Sequence, residues 1–248
     1  MRQIIEELIG QGEMRFVERE VDPRFELAAV VAASQRQSEA ALLFRTVKGS
    51  ALPAASNLYG SYARLCRMIG AADGNFVRRW SALSDAFEAE PIDPAIALTD
   101  PGDLVDITLS QLPAVTYHEK DAGPYITAGI VLARHPESGT ANLSFHRAMQ
   151  VSDQELRIRI GESHDLAGLM AAAEAQNEAL EVAMLIGTSP EIFLAACASL
   201  PPEADEIAAA AMILGKAIPV RPCGHIGLAV PADTEIVIEG RLLPGVRR

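Results

Sequence analysis

The apolar residues of this chain change their spacing several times, and each change marks an element. MRQIIEELIGQGE, from Met1, carries apolar positions at helical spacing among glutamates, which predicts an amphipathic helix to about Gln11. Phe16 and Val17 predict a short strand, and Asp22-Pro23 a turn. Helical spacing returns from Glu26 to about Gln37. ALLFRTV, Ala41 to Val47, reads as a strand closed by Lys48-Gly49. Tyr62 to Ile69 and Phe76 to about Ala89 read as helices. Pro91 to Gly102 holds three prolines and little periodicity, so it reads as a linker or domain boundary.

Beyond it the pattern is richer in strands. TAGIVLARHPESGTANLSFHRAMQV predicts two strands joined by a turn at Pro136 to Gly139. ELRIRI predicts a third, with Leu156, Ile158 and Ile160 alternating with Arg157 and Arg159. Asp165 to about Gln176 reads as a helix capped by Ser163. VAMLIGT is a buried strand. Ser189-Pro190 then opens a helix with proline in its first turn. Glu206 to Leu214 is a helix ended by Gly215, and AIPVRPC, IGLAVP and TEIVIEGRL are three more strands. The expected fold is mixed α/β (α+β). Residues 1–100 form an N-terminal α/β domain, and residues 101–248 a small barrel or split sheet with helices outside.

One strand raises a question. In TANLSFHRAMQV, Thr140 to Val151, a period of two puts Asn142, Ser144 and His146 on one face and Leu143, Phe145 and Arg147 on the other. A guanidinium on an apolar face requires a fixed anion, a carboxylate or a phosphate.

Charge narrows the choice of partners. The chain has 248 residues and a formal net charge of −12, which repels nucleic acid. Short basic pairs such as Arg78-Arg79 and Arg247-Arg248 do not reverse this. No apolar run reaches the roughly 18 residues of a spanning helix. With no secretory leader pattern, a cytoplasmic location is expected. Cys66, Cys197 and Cys223 are too widely spaced for a zinc or redox motif and are expected to be buried free thiols.

Four polar residues carry the candidate chemistry: Asn142, Arg147, His164 and Glu206. Each has an ordinary explanation beside the functional one. Asn142 follows a turn, where asparagine is common. His164 starts a helix. Glu206 lies with Glu203 and Asp205 before a helix, where acids complement the dipole. As a group, amide oxygen, imidazole nitrogen and carboxylate suit Mn²⁺ or Mg²⁺, with further oxygens completing the sphere.

GPYITAGIVLARHPESGTANLSFHRAM, VAMLIGTSPEIFLAACASLPPEADE and VPADTEIVIEG together resemble the UbiD family of prenylated-FMN-dependent decarboxylases. EVDPRFEL, ALLF and NLYGSYARLCRMIG fit that family's opening domain, so the likeness runs from about Met1 to Gly240. The resemblance implies an N-terminal α/β domain followed by a split β-barrel that binds flavin. It implies prenylated FMN, or FMN, whose phosphate is held through Mn²⁺ with K⁺ nearby. Asn142 falls on the asparagine ligand of the family's N-x-S-x-x-R strand, and His164 and Glu206 on the other two ligands. Arg147 falls on the arginine near flavin and substrate carboxylate. Thr127, Ser144, Phe145 and His146 fall where the family lines the cofactor. On this reading Arg147 is the catalytic residue and faces a small-molecule carboxylic acid, unsaturated or aromatic.

The departures concern acids and geometry. The family sets Arg147's counterpart between two glutamates, which come in an E-G-P-F-G-E type segment after the last strand. Here LLPGVRR follows instead. The expectation is a chain without the C-terminal domain, completed in a homo- or hetero-oligomer by a second chain that carries the acids. His146 is a candidate substitute proton donor. A non-catalytic flavin-binding subunit, or a scaffold without cofactor, are the alternatives. Asn142 and Arg147 point to opposite faces of an ideal strand, so either a β-bulge separates them or Asn142 precedes the strand.

Overall fold

The computed structural model describes residues 1–89, 97–100, 104–201 and 204–246. Glu203, Arg247-Arg248 and most of the expected linker at Pro91 to Gly102 lie outside them. The fold is mixed α/β, as the pattern predicts.

In α1 (Arg2–Gly10), Ile4 and Leu8 lie one helical turn apart and are the buried residues. They pack with Met14 of β1 (Met14–Val17), Ala41 of β2 (Ala41–Phe44) and Leu58. Between these strands lies α2 (Glu26–Gln35), and β3 (Ala54–Ser56) follows β2. β1 pairs parallel to β2, and β3 antiparallel to it. β2 stops at Phe44, short of the predicted end, and Val47 instead bridges Val21. Next come α3 (Tyr62–Met68) and α4 (Phe76–Ala89). Within the expected linker, β4 (Ala97–Leu98) is a described strand.

The remaining strands and helices are β5 (Tyr125–Ile126), β6 (Ile130–Arg134), β7 (Ala141–Phe145), β8 (Ala148–Gln150), β9 (Leu156–Ile158), α5 (Asp165–Ala175), β10 (Leu180–Ile186), α6 (Pro190–Ala195), α7 (Glu206–Leu214), β11 (Pro219–Pro222), β12 (Ala229–Pro231) and β13 (Ile236–Leu242). The central sheet has the order β13-β10-β6-β7, all antiparallel, so β7 is an edge. Two smaller sheets, β12-β11-β4 and β5-β8-β9, flank it.

Alternation explains why the central strands read as continuous apolar runs. Ile130, Leu132, Leu143, Ala183 and Leu185 face Ile192 and Ala195 of α6 and Ile207 and Ala210 of α7. Val131, Ala133, Val182 and Met184 face Leu166, Leu169 and Ala173 of α5. Both faces are buried, and each fully buried branched side chain contributes about 1.5–3 kcal/mol. α7 ends where Gly215 takes a left-handed conformation at φ 75°, as expected of a C-terminal glycine.

Three sequence expectations change. The second strand of the predicted hairpin is two strands: after Phe145 the chain leaves the central sheet, and β8 pairs with β5 and β9. Neither a bulge nor an early start of the strand is involved, because Asn142 lies inside β7 and the direction changes at His146-Arg147. Arg147 sits in that break and is exposed, so it is not a core-face arginine. The cap of α5 is His164, not Ser163, and its side chain makes no capping bond. Of the cysteines, Cys66 is buried, but Cys197 is exposed and Cys223 half-buried. All three are free thiols.

Candidate functional site

The predicted polar face of β7 is present and continuous. Asn142 Nδ2 donates to Glu206 Oε1 at 3.1 Å. Ser144 Oγ lies 3.2 Å from Asn142 Oδ1 and 3.0 Å from His146 Nε2. His146 Nδ1 lies 3.1 Å from the Arg159 carbonyl oxygen. The ring of His146 stands 5.4 Å from that of His164, centroid to centroid. Glu206, Asn142, Ser144, His146 and His164 therefore form one line, contributed by α7, β7, the β7–β8 break and the start of α5. Asn142, His146 and Glu206 are buried, while His164 is exposed. The His164 ring lies back over Gly161, where a Cβ would meet its Cδ2 and Nε2 at 3.2 and 3.3 Å.

The proton count along this line is one short. A carbonyl only accepts, so His146 Nδ1 carries a proton to Arg159. Burial pushes the His146 pKa down, against the bond to the Arg159 carbonyl and with the neighbouring His164, which favours a neutral ring. Its Nε2 and Asn142 Oδ1 then share one donor, the single Ser144 hydroxyl proton. Asn142 Oδ1 has at most that one hydrogen for its two lone pairs, while its Nδ2 bonds the carboxylate. At the far end, Glu206 Oε2 is buried and has no hydrogen-bond partner among the described residues. Burial raises the Glu206 pKa to about 7, against the opposing bonds from its own backbone N–H and Asn142, while Asp165 and Asp205 push the same way as burial.

Two buried oxygens with open lone pairs, on side chains already bonded to each other, fit a hard divalent cation. Among the described residues no cluster of His, Cys, Asp or Glu alone is close enough to hold a metal. The asparagine is what makes the set.

Other predicted site residues lie elsewhere. Phe145 points to the opposite face, where it meets Phe193 edge-on at 5.1 Å, and Phe193 in turn stacks on Tyr59. Thr127 is exposed and bonds the Tyr117 hydroxyl at 2.7 Å. The Arg147 guanidinium lies over the Tyr125 ring, 5.3 Å from its centroid. The register Ile126↔Ala148 brings Thr127 and Arg147 to the same end of the β5–β8 pair, one residue beyond each strand. Sequence reasoning missed Tyr117 and Tyr125, and it gave Asp205 and Asp165 no part in the site. Only the helix-start position of Asp205 was available as a signal.

Models of two parts of one family match this chain. The 3-octaprenyl-4-hydroxybenzoate carboxy-lyase N-terminal domain matches residues 5–84, and that family's Rift-related domain matches residues 99–248. The chain is 32% identical over 239 residues to an anhydromevalonate phosphate decarboxylase of Methanothermobacter thermautotrophicus, which spans 96% of this chain and 54% of the relative. A UbiD-class enzyme, HmfF of Pelotomaculum thermopropionicum, solved in complex with FMN, superposes with a TM-score of 0.87 at 33% identity. That match covers 100% of this chain and 56% of the other. Vanillic acid decarboxylase of Sedimentibacter hydroxybenzoicus, in its closed form, gives 0.88 at 25% identity, covering 100% of this chain and 55% of that one. The chain spans about half the length of the curated relatives it matches. With both family models matched in order and the likeness to solved members running end to end, this chain belongs to the UbiD family of carboxy-lyases.

Proposed function

We propose that this chain holds prenylated FMN, or FMN, through a divalent cation, Mn²⁺ first with K⁺ beside it, and serves a (de)carboxylase of unsaturated or aromatic carboxylic acids. The observation that carries the reading is the pair of buried oxygens, Glu206 Oε2 without a partner among the described residues and Asn142 Oδ1 with a lone pair to spare, at the end of a line that runs to His164. These three side chains would hold the ion, and a flavin phosphate oxygen would complete its sphere. When bound, the prenylated flavin supplies the electron sink that lets CO₂ leave the acid.

The chain's own residues do the rest. Ser144 and His146 fix the orientation of the Asn142 amide. Tyr117 holds the Thr127 hydroxyl, and Tyr125 supports Arg147, whose guanidinium is free to meet the substrate carboxylate. His146 is a poor proton donor: it is 2% exposed and engaged at both ring nitrogens. The proton comes instead from acids on a further segment or a second chain. Among the described residues Arg147 makes no ion pair, which supports that arrangement and also favours a second reading. In the second reading the chain is a flavin-holding subunit that does not itself decarboxylate.

The test is co-expression with a prenylated-FMN synthase. Wild-type protein should purify with flavin absorbance and Mn²⁺, and Asn142→Ala and Glu206→Ala should lose both. Unchanged loading in either variant overturns the reading. Retained cofactor with no CO₂ release, even beside candidate partner chains, selects the second reading.

A further inference from the structure

We infer that Asp205 is the positioning residue that sets the spacing of the cation ligands. The inference rests on the reading that Asn142 and Glu206 hold a divalent ion. Asp205 precedes Glu206 and caps α7: its Oδ1 accepts from the Ala208 N–H at 3.0 Å. Its other oxygen does something a cap need not do. Oδ2 accepts the backbone N–H of Ala141, also at 3.0 Å, 64 residues away.

Ala141 precedes Asn142 at the start of β7, the free edge of the central sheet. One carboxylate therefore joins the helix that carries Glu206 to the strand that carries Asn142, one residue before each ligand. Arg134, at the end of β6, holds the outer side: Nη1 donates to the Gly139 carbonyl at 2.7 Å and lies 3.9 Å from Asp205 Oδ2. The carboxylate thus has no slack at either oxygen. The Asn142–Glu206 bond forms where this tether leaves the two side chains.

A cap alone needs one acceptor; the tether needs two on one planar group. Serine can cap α7, but it has a single oxygen on a shorter arm. Asparagine keeps the shape, but it has one acceptor, so with Oδ1 on the Ala208 N–H as the cap its nitrogen cannot accept from Ala141. Asp205→Ser and Asp205→Asn therefore separate the two roles. Groups that orient metal ligands typically change affinity by about 10–100-fold when removed.

The experiment titrates Mn²⁺ into metal-free protein and follows loss of the six-line EPR signal of the free ion. Hydrogen exchange at the Ala141 amide is measured alongside. Both variants should bind Mn²⁺ about 10–100-fold more weakly, with faster exchange at Ala141 even without metal. Val21→Ala, which opens a core cluster that contains none of Asn142, His164, Asp205 and Glu206, serves as a stability control and should leave Mn²⁺ affinity unchanged. The tether is overturned if Asp205→Ser binds Mn²⁺ within twofold of wild type, if Ala141 exchange is unchanged, or if Val21→Ala weakens Mn²⁺ as much. Wild-type binding that Glu206→Ala abolishes but Asp205→Ser retains sinks the tether and spares the site. No binding by wild type sinks both.

Discussion

Two buried polar sites in this molecule look alike in composition and differ in completeness. Around Arg64 of α3, which is 2% exposed, nearly every group has a partner. Nη1 donates to the carbonyls of Asn57 at 2.8 Å and Leu58 at 3.1 Å, and Nη2 donates to that of Glu39. Nε sits 2.8 Å from Glu13 Oε2, close enough for an ion pair although its N–H does not point along a hydrogen bond. Glu13 Oε1 takes Arg67 at 2.7 Å. Around Asn142 and Glu206 the network is as buried but stops short: Glu206 Oε2 has no partner among the described residues, and Asn142 Oδ1 shares the one Ser144 hydrogen with His146. A closed network stabilises the fold. An open one, kept at the expense of stability, is where a ligand enters.

The comparison breaks first under mutation of Arg64. Arg64→Met takes a charged donor from the Asn57, Leu58 and Glu39 carbonyls and leaves Glu13 with Arg67, so at about 1.5–3 kcal/mol per bond to a charged group the chain should lose about 3–5 kcal/mol in urea unfolding. Mn²⁺ affinity of the folded fraction should not change. At the open site the sign reverses. Glu206→Gln removes an uncompensated carboxylate, so the metal-free protein should melt no lower than wild type. What it should lose is the response to metal. At one hundred times its dissociation constant, Mn²⁺ should stabilise wild type by about 2.7 kcal/mol, roughly 5–10 °C in melting temperature. Glu206→Gln should show no such rise. A large loss of metal-free stability in Glu206→Gln would make the two sites equivalent and end the comparison.

Arg147 stands outside both networks, and its substitution should have a smaller effect on stability. Arg147→Ala gives up a contact with Tyr125 at an exposed position, so stability should move by no more than about 0.5 kcal/mol. Flavin absorbance should persist, and turnover by the completed enzyme should fall. Loss of the flavin with Arg147 would mean that the guanidinium holds cofactor rather than substrate.

Arg147 also marks what the sequence could and could not say. The alternation in TANLSF places Asn142 and Ser144 on one face and Leu143 and Phe145 on the other, and the structure keeps that division. Periodicity carries no signal for a strand that changes sheets, so the pattern from Thr140 to Val151 runs on past Phe145, where β7 ends, and puts Arg147 on a core face. Among the described residues the buried arginines are Arg64 and Arg221, and Arg64 lies inside the helical run YARLCRM. Nothing in that run reveals the carbonyls of Glu39, Asn57 and Leu58 waiting for it, because loop carbonyls are positioned by tertiary packing alone. The same holds for Asp205: its cap follows from local pattern, whereas its bond to Ala141 depends on α7 docking at the sheet edge.

The finest difference between the two networks is in protons rather than in energy. In the metal-free site the Ser144 hydroxyl has two acceptors within reach and one hydrogen to give. A cation on Asn142 Oδ1 removes one acceptor and commits that hydrogen to His146 Nε2. Mg²⁺, diamagnetic and hard like Mn²⁺, allows this to be read by nitrogen NMR of the His146 ring. Nδ1 should carry the proton throughout, held to the Arg159 carbonyl. Nε2 should move upfield as Mg²⁺ is added, and Ser144→Ala should abolish the movement while still admitting the ion. A proton found on Nε2 instead would undo the count, since Asn142 Oδ1 would then have its donor and no reason to wait for a metal.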